Sequence, residues 1–193
     1  MSQCNSAIGP QPFLSSARSK RRRMTTTEFE AAVLQHKDRV HSYARSILRD
    51  PEDAKDVAQE CLVSLWRHRE RVVPGVGCRS WLLRSAHNLC IDRLRRRSSR
   101  QEIARDEDLH DPTDGQPGPE RLASSAEVGG RLERALLNLD GRDRAIVLLR
   151  EVEGLAYEEI AELLGLKMGT LKATLHRARE KLRHALVRAE VTP

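Results

Sequence analysis

The stretch 101–120 constrains the fold of this chain more than any other. It holds seven acidic residues against one basic residue, and three prolines and two glycines between residues 112 and 119 interrupt any periodicity. Such a composition favours solvated chain over a packed core. We therefore predict a flexible acidic linker over residues 101–125, with a separately folded part on each side.

The part before this linker, 28–100, has the apolar spacing of helices. Apolar residues recur at steps of three and four in three successive segments. Asp50 and Pro51 end the first segment and begin the second, since proline suits the first turn of a helix. The glycines and proline of "VVPGVG" at 72–77 predict a loop, and a third long helix is expected from Arg79 or Ser80.

The part after the linker, 126–193, returns to helical spacing and ends in two helices broken by a tight turn. A short amphipathic helix stops at Gly165, a residue suited to the left-handed conformation. Four residues later a longer basic helix begins, with Leu171, Leu175 and Ala178 facing inward. We find no strand-type alternation, so the sequence predicts an all-α fold of two small helical domains.

The two C-terminal helices match the geometry of a helix-turn-helix, whose second helix enters the major groove of DNA. The residues of that helix expected to face base edges and phosphates are Lys172, Thr174, His176 and Arg177. The net charge of +6 agrees with a polyanionic partner, although charge alone does not establish one. An ordinary helical hairpin with a solvated basic face is the alternative that the pattern leaves open.

Two further charged surfaces are expected on the N-terminal part. Acidic and amide residues lie opposite the apolar face of its second helix, which indicates either a docking surface for a basic or polar protein or a solvated acidic face. The third helix ends in the arginine-rich stretch "RLRRRSSR" at 93–100, which suggests phosphate contacts. Asn88, on the same helix, could hydrogen-bond a base edge, and a solvated basic helix end is the alternative.

Several other functions are not supported by the sequence. The four cysteines, Cys4, Cys61, Cys78 and Cys90, form no Cys-x-x-Cys pair, and His87 and Cys90 have no second pair at metal-ligand spacing. Reduced, buried thiols are expected, with a redox role for Cys61, Cys78 and Cys90 left open. No catalytic triad or phosphate-binding loop is present. We predict no metal, no cofactor, no small-molecule substrate and no enzymatic activity.

The N-terminal residues 1–27 are predicted to be a disordered basic arm. Basic residues at 20–23 follow a polar stretch, whereas a signal peptide places its basic residues before an apolar run. No apolar run approaches the ~18 residues of a membrane span. We predict a cytoplasmic protein without direct membrane insertion, and either Met1 or Met24 could be the first residue translated.

Three motifs together resemble those of a known family. They are "DPEDAKDVAQE…LW" at 50–66, "SWLLRSAHNLCIDRLRRR" at 80–97 and "GLAYEEIAELLGLKMGTLKATLHRAREKL" at 154–182. In order and separation they resemble bacterial RNA polymerase sigma factors of the extracytoplasmic-function (ECF) class. The resemblance covers about residues 28–100 and 126–188 and implies sigma region 2 followed by sigma region 4.

The resemblance implies that the protein binds core RNA polymerase, recognises the −35 and −10 promoter elements and promotes DNA melting without ATP. The residues it implies for docking on the clamp helices of the largest polymerase subunit are Asp53, Asp56, Gln59 and Glu60. The residues it implies for the −10 element, with the loop 71–79, are Arg79, Arg84, His87, Asn88, Arg93, Arg95 and Arg96. The residues it implies for the −35 element are Arg150, Lys172, Ala173, Thr174, His176 and Arg177. The acidic linker would thread towards the RNA exit path, and an anti-sigma factor is an expected partner.

The chain departs from the family pattern at several positions. The family often has arginine where this chain has His87, and "VKSR" where it has "LKAT" at 171–174. We therefore expect a divergent −35 sequence or a weaker −35 contribution. A stand-alone helix-turn-helix regulator and a helical adaptor that binds only protein are the alternative functions; binding to core polymerase and to DNA separates them from a sigma factor.

Overall fold

The computed structural model describes residues 24–107 and 125–191, and within these ranges all regular structure is helical. The all-α prediction is confirmed. Seven α-helices follow one another, and residues Leu148–Val152 continue the fifth as one turn of π-helix. Their bounds are α1 Thr26–Leu48, α2 Pro51–His68, α3 Val76–Glu107, α4 Ser125–Leu137, α5 Gly141–Val147, α6 Tyr157–Leu164 and α7 Met168–Val191.

The chain divides into two compact units, with the division between Ile91 and Asp92 inside α3. The first unit is built around α1 and α2, and the second contains α4 to α7. Of the predicted arm and linker, residues 1–23 and 108–124 lie outside the described residues.

Helix α1 begins with a capping box. The Thr25 hydroxyl accepts from the Glu28 N–H at 3.2 Å, and the Glu28 carboxylate accepts from the Thr25 N–H at 2.9 Å. Met24 is buried, and its N–H donates to the Arg69 carbonyl at 3.2 Å. The prediction that the arm extends to residue 27 is therefore wrong for 24–27, which belong to the folded first unit.

The junction of α1 and α2 agrees with the sequence prediction. Arg49 adopts a left-handed conformation and ends α1, while the Asp50 side chain accepts from the Asp53 N–H at 3.0 Å and caps α2. The side of α2 that packs inward is formed by Ala54, Val57, Ala58, Cys61 and Leu65. This packing leaves the acidic face of α2 turned away from the core.

Helix α3 is longer than predicted at both ends. It begins at Val76 rather than at Arg79, because Gly75 has a φ of +83° and its carbonyl accepts from the N–H groups of Cys78 and Arg79. It continues to Glu107, so residues 101–107 are helical and not part of a linker. This extension contains no proline or glycine, and the first helix breaker comes only at Pro112.

In the second unit, a buried arginine joins α4 to α5. Arg144 is almost fully buried, and its guanidinium donates to the carbonyls of Leu136, Leu137 and Leu139 at 2.9, 3.3 and 2.7 Å. These carbonyls lie in the last turn of α4 and just after it, where few backbone donors remain; Leu136 also accepts from the Leu139 N–H at 3.1 Å. Arg144 therefore fixes the end of α4 against α5.

Three of the four cysteines, Cys61, Cys78 and Cys90, are buried thiols that are not joined in disulfide bonds, as predicted. Burial raises the pKa of the Cys61 thiol to about 12 and that of Cys78 to about 11. A thiol with so high a pKa is a poor nucleophile at neutral pH. Cys4 lies outside the described residues.

Candidate functional site

The four residues predicted for protein docking lie along one side of α2. Asp56, Gln59 and Glu60 are exposed and Asp53 is half-buried. Their spacing of three and four residues aligns them on the face opposite the buried stripe. Val63, one turn further along, is 48% exposed and extends this face with an apolar residue. The sequence motifs do not single out Val63, although its spacing of three from Glu60 places it on this face.

The residues predicted for the −10 element are distributed along α3. Arg84 is half-buried and Asn88, one turn later, is exposed on the same side. Arg79 is half-buried at the start of the helix, and its Nε is a buried atom without a hydrogen-bond partner. Apart from His87, the remaining residues of this set lie beyond Ile91, with Arg95 and Arg96 exposed and Arg93 half-buried.

His87 is turned towards α1 and is not placed as a phosphate contact. Its Nδ1 lies 2.9 Å from the Tyr43 hydroxyl, and the two rings pack in a tilted arrangement. Burial lowers the pKa of His87 to about 4, so the imidazole is neutral at physiological pH. A neutral, half-buried histidine that already contacts Tyr43 packs α3 against α1. Tyr43 is a supporting residue that the sequence motifs did not reveal.

His87 is expected to make the first unit less stable in acid. Its folded pKa of about 4 lies below the ordinary histidine value of 6.5, so the stability that it contributes is full above pH 6.5 and is lost as pH falls towards 4. The loss should reach roughly 3 kcal/mol, at about 1.4 kcal/mol per pH unit. Urea unfolding followed by tryptophan fluorescence measures it, because Trp66 and Trp81 are the two tryptophans of the chain and both lie in the first unit.

The control for this prediction is His87→Gln, which keeps a polar side chain beside Tyr43 but does not titrate. As pH falls from 7 to 4.5, the free energy of unfolding of the wild type should decrease more than that of the variant. Two curves that stay parallel over this range would assign the acid sensitivity to other groups.

On α7, four of the five residues predicted to face DNA are exposed, and one is not. Lys172, Ala173, His176 and Arg177 are exposed, whereas Thr174 is only 4% exposed. Thr174 is three residues after the buried Leu171 and therefore shares its face. The prediction that Thr174 faces base edges is wrong. Its hydroxyl accepts from Arg177 Nη2 at 3.4 Å, so it supports the orientation of that guanidinium.

Arg150 lies in the π-helical turn and holds the loop before α6. Its Nη1 donates to the Leu155 carbonyl at 2.7 Å, and its guanidinium carbon is 4.6 Å from the centre of the Tyr157 ring. The side chain is half-buried. Arg150 therefore stabilises the entry to the helix-turn-helix, which begins with α6 and turns at Gly165 with a φ of +63°.

Two other basic residues of α7 form ion pairs within the second unit. Arg179 donates from Nε and Nη2 to Glu151 Oε1, at 2.9 and 2.5 Å. Lys181 Nζ lies 2.6 Å from Asp143 Oδ2 and 3.7 Å from Asp140 Oδ2. Hydrogen bonding to these acids raises the pKa of Arg179 and of Lys181 above their usual values. Both side chains remain cations. Arg179 lies against the acid of the π-helical turn, and Lys181 lies against the acids at the start of α5.

The described ranges, 24–107 and 125–191, contain no candidate metal site and no candidate membrane span. No group of three or more histidine, cysteine, aspartate or glutamate side chains there could hold a metal ion. None of the helices in these ranges is long and apolar enough to cross a membrane.

The comparisons with protein families match both units. The family model for Sigma-70 region 2 matches residues 32–100, and the model for Sigma-70 region 4 matches residues 129–182. Among solved structures, the sigma factor RpoE in complex with the anti-sigma factor NepR from Bartonella quintana is similar in fold, with a TM-score of 0.66 at 22% identity. That alignment covers 87% of this chain and 100% of RpoE. CnrH, in complex with the cytosolic domain of CnrY, gives 0.57 at 26% identity over 86% of this chain and 90% of CnrH.

Three characterised relatives are similar over most of this chain. The ECF sigma factor SigE of Mycolicibacterium smegmatis is 36% identical over 83% of the chain, although the match spans only 62% of SigE. The ECF sigma factor SigW of Bacillus subtilis is 30% identical over 78% of the chain and 84% of SigW. The sigma factor CarQ of Myxococcus xanthus is 32% identical over 84% of the chain and 91% of CarQ.

One helical unit matched to Sigma-70 region 2, followed by a second unit with a helix-turn-helix matched to Sigma-70 region 4, defines a two-region transcription protein. The chain belongs to the RNA polymerase sigma factors of the ECF class, which are initiation factors and not themselves enzymes.

Proposed function

We propose that this protein binds core RNA polymerase through α2, recognises a −10 element with α3 and a −35 element with α7, and promotes melting of the promoter. The observation that carries the proposal is the exposed set Lys172, Ala173, His176 and Arg177, which lies in the N-terminal half of the second helix of a helix-turn-helix. In such a unit these are the residues that reach the major groove.

The acidic face of α2 supports docking on core polymerase. Asp56 and Glu60 are exposed one turn apart, Gln59 lies beside them, and Val63 adds an apolar contact. Acidic groups on a rigid helix favour a basic partner and fix its orientation. This face lies opposite the side of α2 that packs in the core, so docking would require no rearrangement of the first unit.

The −10 contact is proposed for Arg79, Arg84 and Asn88 in the first unit and for Arg93, Arg95 and Arg96 further along α3. Asn88 is the exposed amide of this set and can pair with a base edge. His87 is left out because it is neutral and contacts Tyr43. Melting would follow from binding unpaired bases, which shifts the equilibrium of the DNA without ATP.

The −35 contact is proposed for Lys172, Ala173, His176 and Arg177, with Arg150 near the backbone. The Thr174 hydroxyl accepts a hydrogen bond from Arg177 and thereby helps to orient its guanidinium. Because Ala173 offers only a methyl group and Thr174 is buried, fewer side chains reach the bases than the basic sequence of α7 suggests. This supports a divergent or weaker −35 contribution.

An anti-sigma factor is the proposed regulatory partner. The support is the similarity in fold to RpoE, which was solved in complex with the anti-sigma factor NepR. A cytoplasmic location follows from a partnership with core polymerase and remains a prediction.

The test is reconstitution with bacterial core polymerase. The holoenzyme is used to select DNA from a pool with randomised −35 and −10 regions, and run-off transcription is measured on the selected templates. A defined transcript that requires this chain would support the proposal. Failure to bind core polymerase would reject it and favour a stand-alone regulator.

Arg177→Ala is expected to weaken binding of the selected DNA by about 1–3 kcal/mol and to relax the base preference at one −35 position. Fluorescence anisotropy with templates carrying each of the four bases at that position measures both effects. The matched control is Arg188→Ala, an exposed arginine eleven residues further along α7 that should leave base preference unchanged. Equal weakening on all four templates would reject a base-reading role for Arg177.

A further inference from the structure

The ion pairs of Arg179 and Lys181 lie on opposite flanks of the buried stripe of α7. At 100° per residue, Arg179 lies to one side of the stripe formed by Leu171, Leu175 and Ala178, and Lys181 lies to the other. Ala173, His176 and Arg177 occupy the remaining side, and Lys172, seven residues before Arg179, lies at its edge. Each flank of the recognition helix is therefore held by a separate acid from another segment.

The two acids come from one continuous helical stretch. Asp143 is in the first turn of α5, and Glu151 is in the π-helical turn that continues it. They are eight residues apart, which corresponds to roughly 12 Å along a helix. Two contacts at this separation, one on each flank, resist both rotation of α7 about its own axis and a change of its crossing angle.

The two pairs differ in exposure. Glu151 and Arg179 are each about half exposed, with side-chain exposures of 45% and 48%, whereas the Asp143 side chain is 10% exposed beneath the more exposed Lys181. An exposed pair contributes little to stability, but a buried carboxylate needs its cation. The Asp143–Lys181 pair is therefore the stronger of the two contacts.

We propose that Asp143 and Glu151 are positioning residues for −35 recognition: they hold Lys181 and Arg179 and thereby fix the rotation of α7. A consequence is that these two cations do not neutralise DNA phosphates, although they lie on the recognition helix. The inference rests on the proposed function, since it concerns how the same helix reads DNA.

The test compares the double variant Arg179→Gln/Lys181→Gln with wild type in the reconstituted holoenzyme. Affinity is measured against salt for the selected promoter and for the same DNA with a scrambled −35 element. Each phosphate contact contributes about 0.9 to the slope of log affinity against log salt. If the ion pairs position α7, the salt slope should be unchanged. The ratio of the affinity for the selected promoter to the affinity for the scrambled DNA should fall two- to tenfold. Phosphate contact predicts a slope reduced by about 1.8 and equal weakening on both DNAs, and that result would overturn the inference.

Four further variants sharpen the result: Arg179→Gln alone, Glu151→Gln alone, these two combined, and Lys172→Gln. Glu151→Gln removes an acid rather than a cation, so positioning predicts the same direction of change in the ratio as Arg179→Gln, and no further loss when the two are combined. An unchanged ratio in every variant would also overturn the inference. Lys172→Gln reports on the proposed function itself, because Lys172 lies on the DNA-facing side. If this variant lowers neither slope nor affinity, the −35 assignment of α7 fails, whatever the ion pairs do.

Discussion

Asp56→Arg is expected to abolish assembly of the holoenzyme while leaving the first unit folded. The substitution places a cation in the centre of the exposed acidic face of α2, where the partner surface is expected to be basic. Like charges brought together at an interface cost several kcal/mol, so affinity for core polymerase should fall at least about 100-fold. Size-exclusion chromatography and anisotropy with labelled protein measure the loss.

The matched control is Asp38→Arg, which makes the same change on an exposed position of α1. Arginine is a good helix former at both positions, so neither variant should melt its helix. The tryptophan fluorescence of the first unit checks this directly. Co-elution of the Asp56 variant with core polymerase at wild-type affinity would remove α2 from the docking interface.

Arg144→Met is expected to destabilise the second unit by about 3–5 kcal/mol. The variant keeps much of the side-chain volume but leaves the carbonyls of Leu136, Leu137 and Leu139 without the donors that Arg144 supplies. Leaving a buried acceptor without its donor costs about 1–3 kcal/mol, so the loss of three such hydrogen bonds has a cost of this size. Native-state hydrogen exchange in the full chain should show protection in α5 and α7 reduced 100-fold or more, with α1 and α2 unchanged.

The control for this variant is Arg134→Met in α4. Arg134 is exposed and donates from Nε to the Gly130 carbonyl at 3.2 Å, so its loss should change stability by less than about 0.5 kcal/mol. Equal effects of the two variants would show that the buried hydrogen bonds of Arg144 contribute no more than an exposed one.

Local sequence signals predicted most of the fold. The cap formed by Asp50 with Pro51 behind it placed the junction of α1 and α2, and Gly165 placed the turn of the helix-turn-helix. The largest errors came at the ends of α3. Composition suggested a linker from residue 101, but the helix continues to Glu107, because acidic residues without a breaker do not stop a helix.

The candidate site was predicted less completely than the fold. The acidic stripe of α2 could be identified because its spacing sets its face. Thr174 was misplaced, even though its spacing from Leu171 puts it on the buried side. Helical spacing is a better guide to exposure across α7 than the basic composition of the helix.

By itself the sequence determined which segments are helices and which sides of them are buried, because caps, breakers and apolar spacing act within a few residues of one another. Only the tertiary structure decided which charged groups are available. Tyr43 contacts His87 across 44 residues of chain, Glu151 binds Arg179 across 28, and Asp143 binds Lys181 across 38. Such partners come from other helices, so no local pattern reveals them, and burial and ion pairing then change what a basic residue can do.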